Sequence, residues 1–263
     1  MGTAEAQGEI WGAKASDWAN ANEPAWRPVF DAVLDAARVG HGTRLLDVGC
    51  GAGGALVAAR DRGADVYGLD ASNNLAEIAR RRLPGATIEV GEMEALPFAD
   101  ESFDVVTGIN SFQFAGDVVA ALREARRVCR PGGTVAMLVW GRREDCDLLA
   151  TVLPPVFALL PPAPASATPP LAEPGVIERL MRGAGLAPAD ARDIVEPLVF
   201  PDLDTARRAI TSAMARAIRH AGEAKVKAAI VDGLARVAPG GGGPVSLRGR
   251  FRLVLAARDQ RCR

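Results

Sequence analysis

Two carboxylates and a run of glycines carry the first recognisable chemistry in the chain. Asp47 ends the apolar run TRLLD and is followed by Gly49, Gly51, Gly53 and Gly54; Asp70 ends a second such run, DVYGLD. Glycine allows a turn whose backbone angles a side chain forbids, and lets a ligand lie directly against the chain. A helix after that turn, expected over residues 55–62, points free N–H groups and its positive end at the ligand. A carboxylate at position 70 stands where it can accept hydrogen bonds from both hydroxyls of a ribose. The pair describes a nucleoside site. The glycines alone leave the nucleotide open, because Gly49, Gly51 and Gly54 also satisfy the G-x-G-x-x-G of a nicotinamide-binding fold.

The elements that must position these residues alternate regularly. Strands are expected at 66–69 and 87–90 and helices at 55–62 and 73–82, with Ser72 capping the second helix. Strands that alternate with helices at this spacing pair in parallel through right-handed crossovers, so the sheet is buried on both faces. Before them lie three of the four tryptophans, Trp11, Trp18 and Trp26. Val29, Phe30, Val33, Leu34 and Ala37 follow at helical spacing, which predicts a helix against the sheet edge. Trp18 fits no such stripe; it is either a packing residue or a wall over cofactor and substrate.

Composition narrows the classes. A net charge of −1 over 263 residues gives no excess of Lys and Arg to neutralise phosphates, so nucleic acid is not an expected partner. Cys50, Cys129, Cys146 and Cys262 have no C-x-x-C spacing, which suggests neither a metal site nor a disulfide framework. No charge-free run reaches about 18 apolar residues and the opening MGTAEAQGE lacks a basic-then-apolar leader, so a cytoplasmic protein without membrane attachment is expected. A homodimer is left open.

The segment 91–114, GEMEALPFADESFDVVTGINSFQF, decides between nucleotides. Its L-P-F and S-F-D-V-V, with the R-P-G-G turn at 130–133 that launches a further strand, resemble the class I S-adenosylmethionine-dependent methyltransferases of the type 11 branch. With the glycine turn and Asp70, the resemblance covers roughly residues 43–140. It implies an α/β, Rossmann-like fold: a seven-stranded, mostly parallel sheet with the last strand antiparallel, N-terminal helices and a helical lid. The expected division is an N-terminal helical cap at 1–40, a cofactor-binding core at 41–140, and linker, lid (about 204–238) and closing strands over 141–263. By the same resemblance Asp47, Gly49, Cys50, Gly51 and Gly53 lie under the adenosine and methionine parts of the cofactor. Asp70 with Ala71 holds the ribose, Glu92 stands in place of an Asp that reads the adenine amino group, Met93 lies against the adenine ring, and Asn110 meets the methionyl end. No Asp-Pro-Pro-Tyr or Asn-Pro-Pro-Tyr follows the fourth strand, so a nucleic-acid base amine is not the expected acceptor.

Beyond residue 140 the sequence is less explicit. The proline- and alanine-rich stretch 141–174 reads as an extended connection, followed by a short helix at 175–181 and a strand near 194–200. Amphipathic helices at 205–219 and 223–237 are expected to cover the substrate side, and a strand over 247–255 closes the fold. Methyl transfer from an already activated sulfonium calls mainly for alignment. No triad is visible; His41 reads as a turn residue and His220 as the one imidazole near a lid. Candidate acceptor-side residues are Trp18, Gln113, Trp140 and Met214, with Gln113 and His220 as candidate catalytic groups. The expected acceptor is a small, partly apolar metabolite of secondary metabolism, methylated at O, N or C. A nicotinamide-dependent oxidoreductase and a non-catalytic S-adenosylmethionine-binding protein stand as alternatives.

Overall fold

The structure, a computed structural model, describes residues 2–161, 170–238 and 242–259. The chain opens with α1 (Ala4–Gly12), the three-residue α2 (Ala15–Asp17), a π-helical turn at Trp18–Asn22 and a 3-10 turn at Glu23–Trp26, then α3 (Arg27–Ala36). Val29, Phe30, Val33 and Leu34 form the buried stripe of α3. That stripe belongs to the same core cluster as Val105, Ala136 and Leu138 of the sheet.

Regular alternation follows: β1 (Arg44–Val48), α4 (Gly54–Arg60), β2 (Asp65–Asp70), α5 (Asn73–Arg82), β3 (Thr87–Val90), β4 (Phe103–Ile109), α6 (Val118–Val128) and β5 (Cys129–Trp140). Ser72 caps α5 by accepting from the Leu75 N–H at 3.3 Å, and Asp117 caps α6 through the N–H groups of Val119 and Ala120. Then come α7 (Pro154–Phe157), α8 (Val176–Gly183), β6 (Ala187–Val195), β7 (Leu198–Phe200), α9 (Leu203–Ser212), α10 (Ala215–Ala221), α11 (Glu223–Val237), β8 (Val245–Leu247) and β9 (Arg250–Ala257). The main sheet has the order β3-β2-β1-β4-β5-β9-β6. Strands β1 to β5 pair in parallel, and β9 runs antiparallel to both β5 and β6. This is the Rossmann-like arrangement expected from the sequence.

The C-terminal half departs from expectation in four places, each with a local cause. The connection 141–174 is partly helical, because Pro154 and Pro155 stand in the first turn of α7, where proline's missing N–H costs nothing; residues 162–169 lie outside the described residues. The strand near 194–200 is two strands, since Pro197 cannot donate to a ladder. The long helix at 205–219 breaks at residues 213–214, just after Thr211 and Ser212 turn their hydroxyls back onto the carbonyls of Arg207 and Ala209. The closing strand is β8 and β9 in different sheets, parted at Gly249, where a Cβ would sit 2.5 Å from the Glu196 carbonyl oxygen. Part of the glycine loop expected before it, residues 239–241, lies outside the described residues.

Candidate active site

A cavity of about 900 Å³, counting its open mouth, lies past the carboxyl ends of β1, β2, β3 and β4. In an open parallel sheet that is where ligands bind, at the point where strand order reverses on either side of β1. Its floor is the turn after β1, Asp70 and Ala71 after β2, Gly91 to Met93 after β3, and Ile109 to Ser111 after β4. Its roof is the N-terminal cap, through Thr3, Gln7, Trp11, Trp18, Glu23 and Trp26.

The floor is built by backbone demands. Gly49 and Gly51 take φ of +78° and +57°, and a Cβ on Gly49 would stand 2.4 Å from that of Ser111. Only glycine permits the turn to lie this low. Asp70 is 7% exposed, and its two oxygens accept from the N–H groups of Gly51 and Ser72, each at 2.8 Å. A carboxylate has about four lone-pair sites, so this fixes its orientation and leaves acceptor capacity toward the cavity. Asp47 accepts from the Thr107 hydroxyl at 2.7 Å through Oδ1, while Oδ2 has no hydrogen bond among the described residues.

The turn's own donors are used differently from expectation. The helix start was expected to offer free N–H groups to the ligand. Instead the Gly51 N–H goes to Asp70 and the Ala52 N–H goes to Glu23 at 2.8 Å. The ligand therefore meets carboxylates at this turn. Burial pushes the carboxyls of Asp47 and Glu23 up to about 7 and raises that of Asp70. At Asp47 the like charges of Asp70 and Glu23 add to burial and the Thr107 hydrogen bond opposes it; at Glu23, Arg82 opposes it. Among the described residues no Lys, Arg or His lines the cavity, against four carboxyl groups, Glu23, Asp47, Asp70 and Glu92.

Of the residues singled out in the sequence, Asp47, Gly49, Cys50, Gly51, Asp70 and Ala71 line the cavity, as do Glu92, Met93, Asn110 and Trp18. The others do not. A Cβ on Gly53 would meet Ala79 and Leu83 at 3.2 Å, so this glycine lets α4 and α5 approach each other instead of facing the ligand. Gln113 turns its amide N–H to Asn110 Oδ1 at 2.6 Å, and so acts on the cavity only through Asn110, which holds φ +56°. Trp140 is packed between Trp26 and Phe251, with ring centroids 5.3 and 4.7 Å away. Met214 precedes α10 and packs into the core cluster, and His220 is exposed on α10. The helices α9 to α11, expected over the substrate, contribute nothing to the lining. They pack instead on the cap, where Asn22 donates to the Ala209 carbonyl and Lys14 pairs with Glu223.

Three features were missed. Glu92 accepts the Ala4 N–H at 2.9 Å, so one of its oxygens holds the start of α1. Trp11 meets Trp18 and Phe114 edge-on, at centroid distances of 5.1 and 5.3 Å, and completes an aromatic wall. Glu23 reaches the glycine turn from the cap. The tryptophan count flagged the wall; nothing in the spacing around Glu23 separated it from a surface acid.

Strand order and glycine turn together define a Rossmann-like fold of the kind found in class I methyltransferases. Residues 46–137 match the family described as a methyltransferase domain, type 11. An uncharacterized protein of Mycobacterium tuberculosis is 36% identical over 159 residues, 56% of this chain and 57% of its own length. A malonyl-[acyl-carrier protein] O-methyltransferase of Erwinia pyrifoliae is 39% identical over 109 residues, 41% of this chain and 42% of its own. The chain thus spans about half the length of the curated relatives it matches. A solved geranyl diphosphate methyltransferase in complex with S-adenosylmethionine shares the fold, with a TM-score of 0.53 at 20% identity over 88% of this chain and 85% of that one. The cofactor of the family is S-adenosylmethionine. The donor set suits it: an oriented carboxylate with spare lone pairs at Asp70, an Asp47 oxygen without a hydrogen bond among the described residues, and a turn only glycine can make. Among the described residues no helix is long and apolar enough to cross a membrane, and no group of three or more His, Cys, Asp or Glu is arranged to hold a metal ion.

Proposed function

We propose that this protein transfers the methyl group of S-adenosylmethionine to a small, partly apolar acceptor bound between the strand ends and the N-terminal cap. The observation that carries this reading is the convergence of Asp47, Asp70, Glu92 and Asn110, from four successive strands, on one cavity. When bound, the cofactor supplies an electrophilic methyl group on a sulfonium. Asp70 would hold the ribose hydroxyls, Asp47 would accept from the ammonium group, and Asn110 would fix the methionyl end. Glu92 would share its carboxylate between the adenine amino group and α1. The wall of Trp11, Trp18 and Phe114 would exclude water and align the acceptor, and alignment of this kind contributes up to roughly 7 to 11 kcal/mol in intramolecular models.

The lining also bears on the acceptor. Four carboxyl groups and no cation disfavour a carboxylate or phosphate, since an anion would enter a low-dielectric space without a counter-charge. An uncharged or cationic acceptor of cytoplasmic secondary metabolism fits best. The test is a mass-based screen in which the full chain, with S-adenosylmethionine, is offered matched amines, phenols and carboxylates. A product heavier by one methyl group among the amines or phenols is expected. Binding of S-adenosylhomocysteine by calorimetry without any methylated product would favour a non-catalytic binding protein, and turnover confined to carboxylates would refute the acceptor class.

A further inference from the structure

Glu23 lies outside the segment that matches the family, and it is 6% exposed. Its Oε1 accepts from the Ala52 N–H at 2.8 Å and from the Trp18 indole N–H at 3.2 Å. Its Oε2 pairs with Arg82 at the end of α5. Arg82 in turn donates to the Ala52 carbonyl at 3.1 Å and to the Ala19 carbonyl at 2.6 Å. Both the N–H and the C=O of Ala52 are thus gripped, one by a carboxylate and one by the guanidinium paired with it. A Cβ on Gly51 would stand 3.0 Å from Glu23 Oε1, so the carboxylate lies directly against the turn.

We propose that Glu23 is a positioning residue for the cofactor: with Arg82 it clasps the two peptide groups that flank the Ala52 Cα, so that the N-terminal cap sets the geometry of the glycine turn. The inference rests on the cofactor reading given above. Hydrogen bonds to charged groups are stronger than neutral ones, and a charged pair that takes the N–H and the C=O of one residue holds its backbone on both sides. The clasp also carries the wall over the cavity, because the same oxygen that takes the Ala52 N–H holds the Trp18 ring. A turn fixed from the cap ties cofactor affinity to a part of the chain outside the family segment.

The test measures S-adenosylhomocysteine affinity by calorimetry for the parent, Glu23→Ala and Glu23→Gln, with thermal melts to confirm folding. Alanine leaves the Ala52 N–H and Arg82 without their partner, and a loss of tenfold or more is expected. Glutamine keeps an acceptor oxygen for the Ala52 N–H but loses the charge that holds Arg82, and is expected to recover part of that loss, which a mere packing role would not require. A pH series gives the second readout and decides if the alanine variant does not fold. The charged groups facing Glu23 are Arg82 on α5 and Asp47 at the end of β1, with the Cys50 thiol beside them. Burial places Glu23 at about 7, so lowering pH through that region neutralises it, releases Arg82 and weakens binding. Asp47 contributes a step in the same region; the part that disappears in Glu23→Gln belongs to Glu23. Alanine affinity within threefold of the parent, equal losses in alanine and glutamine, or identical pH profiles in parent and glutamine would each overturn the clasp. A parent that binds no S-adenosylhomocysteine at any pH would overturn the cofactor reading as well.

Discussion

The floor and the roof of the cavity are made by opposite means. On the floor, function is in the backbone: φ of +78° at Gly49, +57° at Gly51 and +56° at Asn110 shape the surface, and Asp70 is locked by two N–H groups. On the roof, function is in side chains carried by short, irregular helical turns, held to the floor by single polar contacts such as Glu92 with Ala4 and Thr3 with the Phe114 carbonyl. A floor of this kind tolerates few residue types. A roof of this kind can be rebuilt with many, which suits a part that meets the acceptor.

The largest effect is expected at the floor. Asp70→Ala removes the ribose acceptor and also orphans the buried N–H groups of Gly51 and Ser72, each orphan costing about 1 to 3 kcal/mol. Calorimetry should show S-adenosylhomocysteine affinity falling by tenfold or more, together with a lower melting temperature. An unchanged affinity in a folded variant would erase the distinction between the two surfaces.

Next in size is a pH effect on stability without ligand. Asp47 and Glu23 are ordinary carboxyls when unfolded and titrate near 7 when folded. Between about pH 4 and 7 the folded state therefore binds more protons than the unfolded one, and stability falls as pH rises, by at most about 1.4 kcal/mol per pH unit for each group. Asp47→Asn should flatten that slope in denaturant titrations. A slope unaffected by the substitution would mean that Asp47 is ionised at no cost in the folded protein.

A smaller effect is expected where floor meets roof. Glu92→Ala loses both the adenine contact and the anchor of α1, whereas Glu92→Gln keeps an acceptor for the Ala4 N–H. S-adenosylhomocysteine binding should weaken by several-fold for alanine and less for glutamine, and protease cleavage within α1 should rise only for alanine. Equal binding and equal cleavage in both variants would detach the roof from cofactor binding. The smallest effect belongs to His220, exposed on α10 and outside the cavity lining. Turnover of His220→Ala should stay within about threefold of the parent, because loss of a general base costs a hundredfold or more.

This division also explains what could be read from the sequence. The sheet was legible because alternating apolar runs, glycines and caps leave local marks: α5 and β3 were expected at residues 73–82 and 87–90, where they stand. Asp70 was legible because it ends a strand. Gly53 was misread because the same residue type serves close helix packing and ligand approach, and only the neighbourhood of Ala79 and Leu83 separates them. Met214 and His220 were placed at the acceptor by their position in an expected lid, but α9 to α11 dock on the cap through long-range contacts that no periodicity encodes. Glu23 was invisible for the same reason: its partners Ala52 and Arg82 come from two other elements.

The order of strands has a consequence for synthesis. Strand β9 is inserted between β5 and β6, and it is the only sheet partner of β6 among the described residues. While the chain is being made, β6 emerges with no neighbour, and the whole of β7 and α9 to α11 must follow before its partner arrives. The parallel strands β1 to β5 can associate by then, since N-terminal parts fold first during synthesis. A nascent chain stalled just before β9 should therefore carry a formed glycine turn beside an unpaired strand edge, the kind of surface that draws chaperones and promotes aggregation.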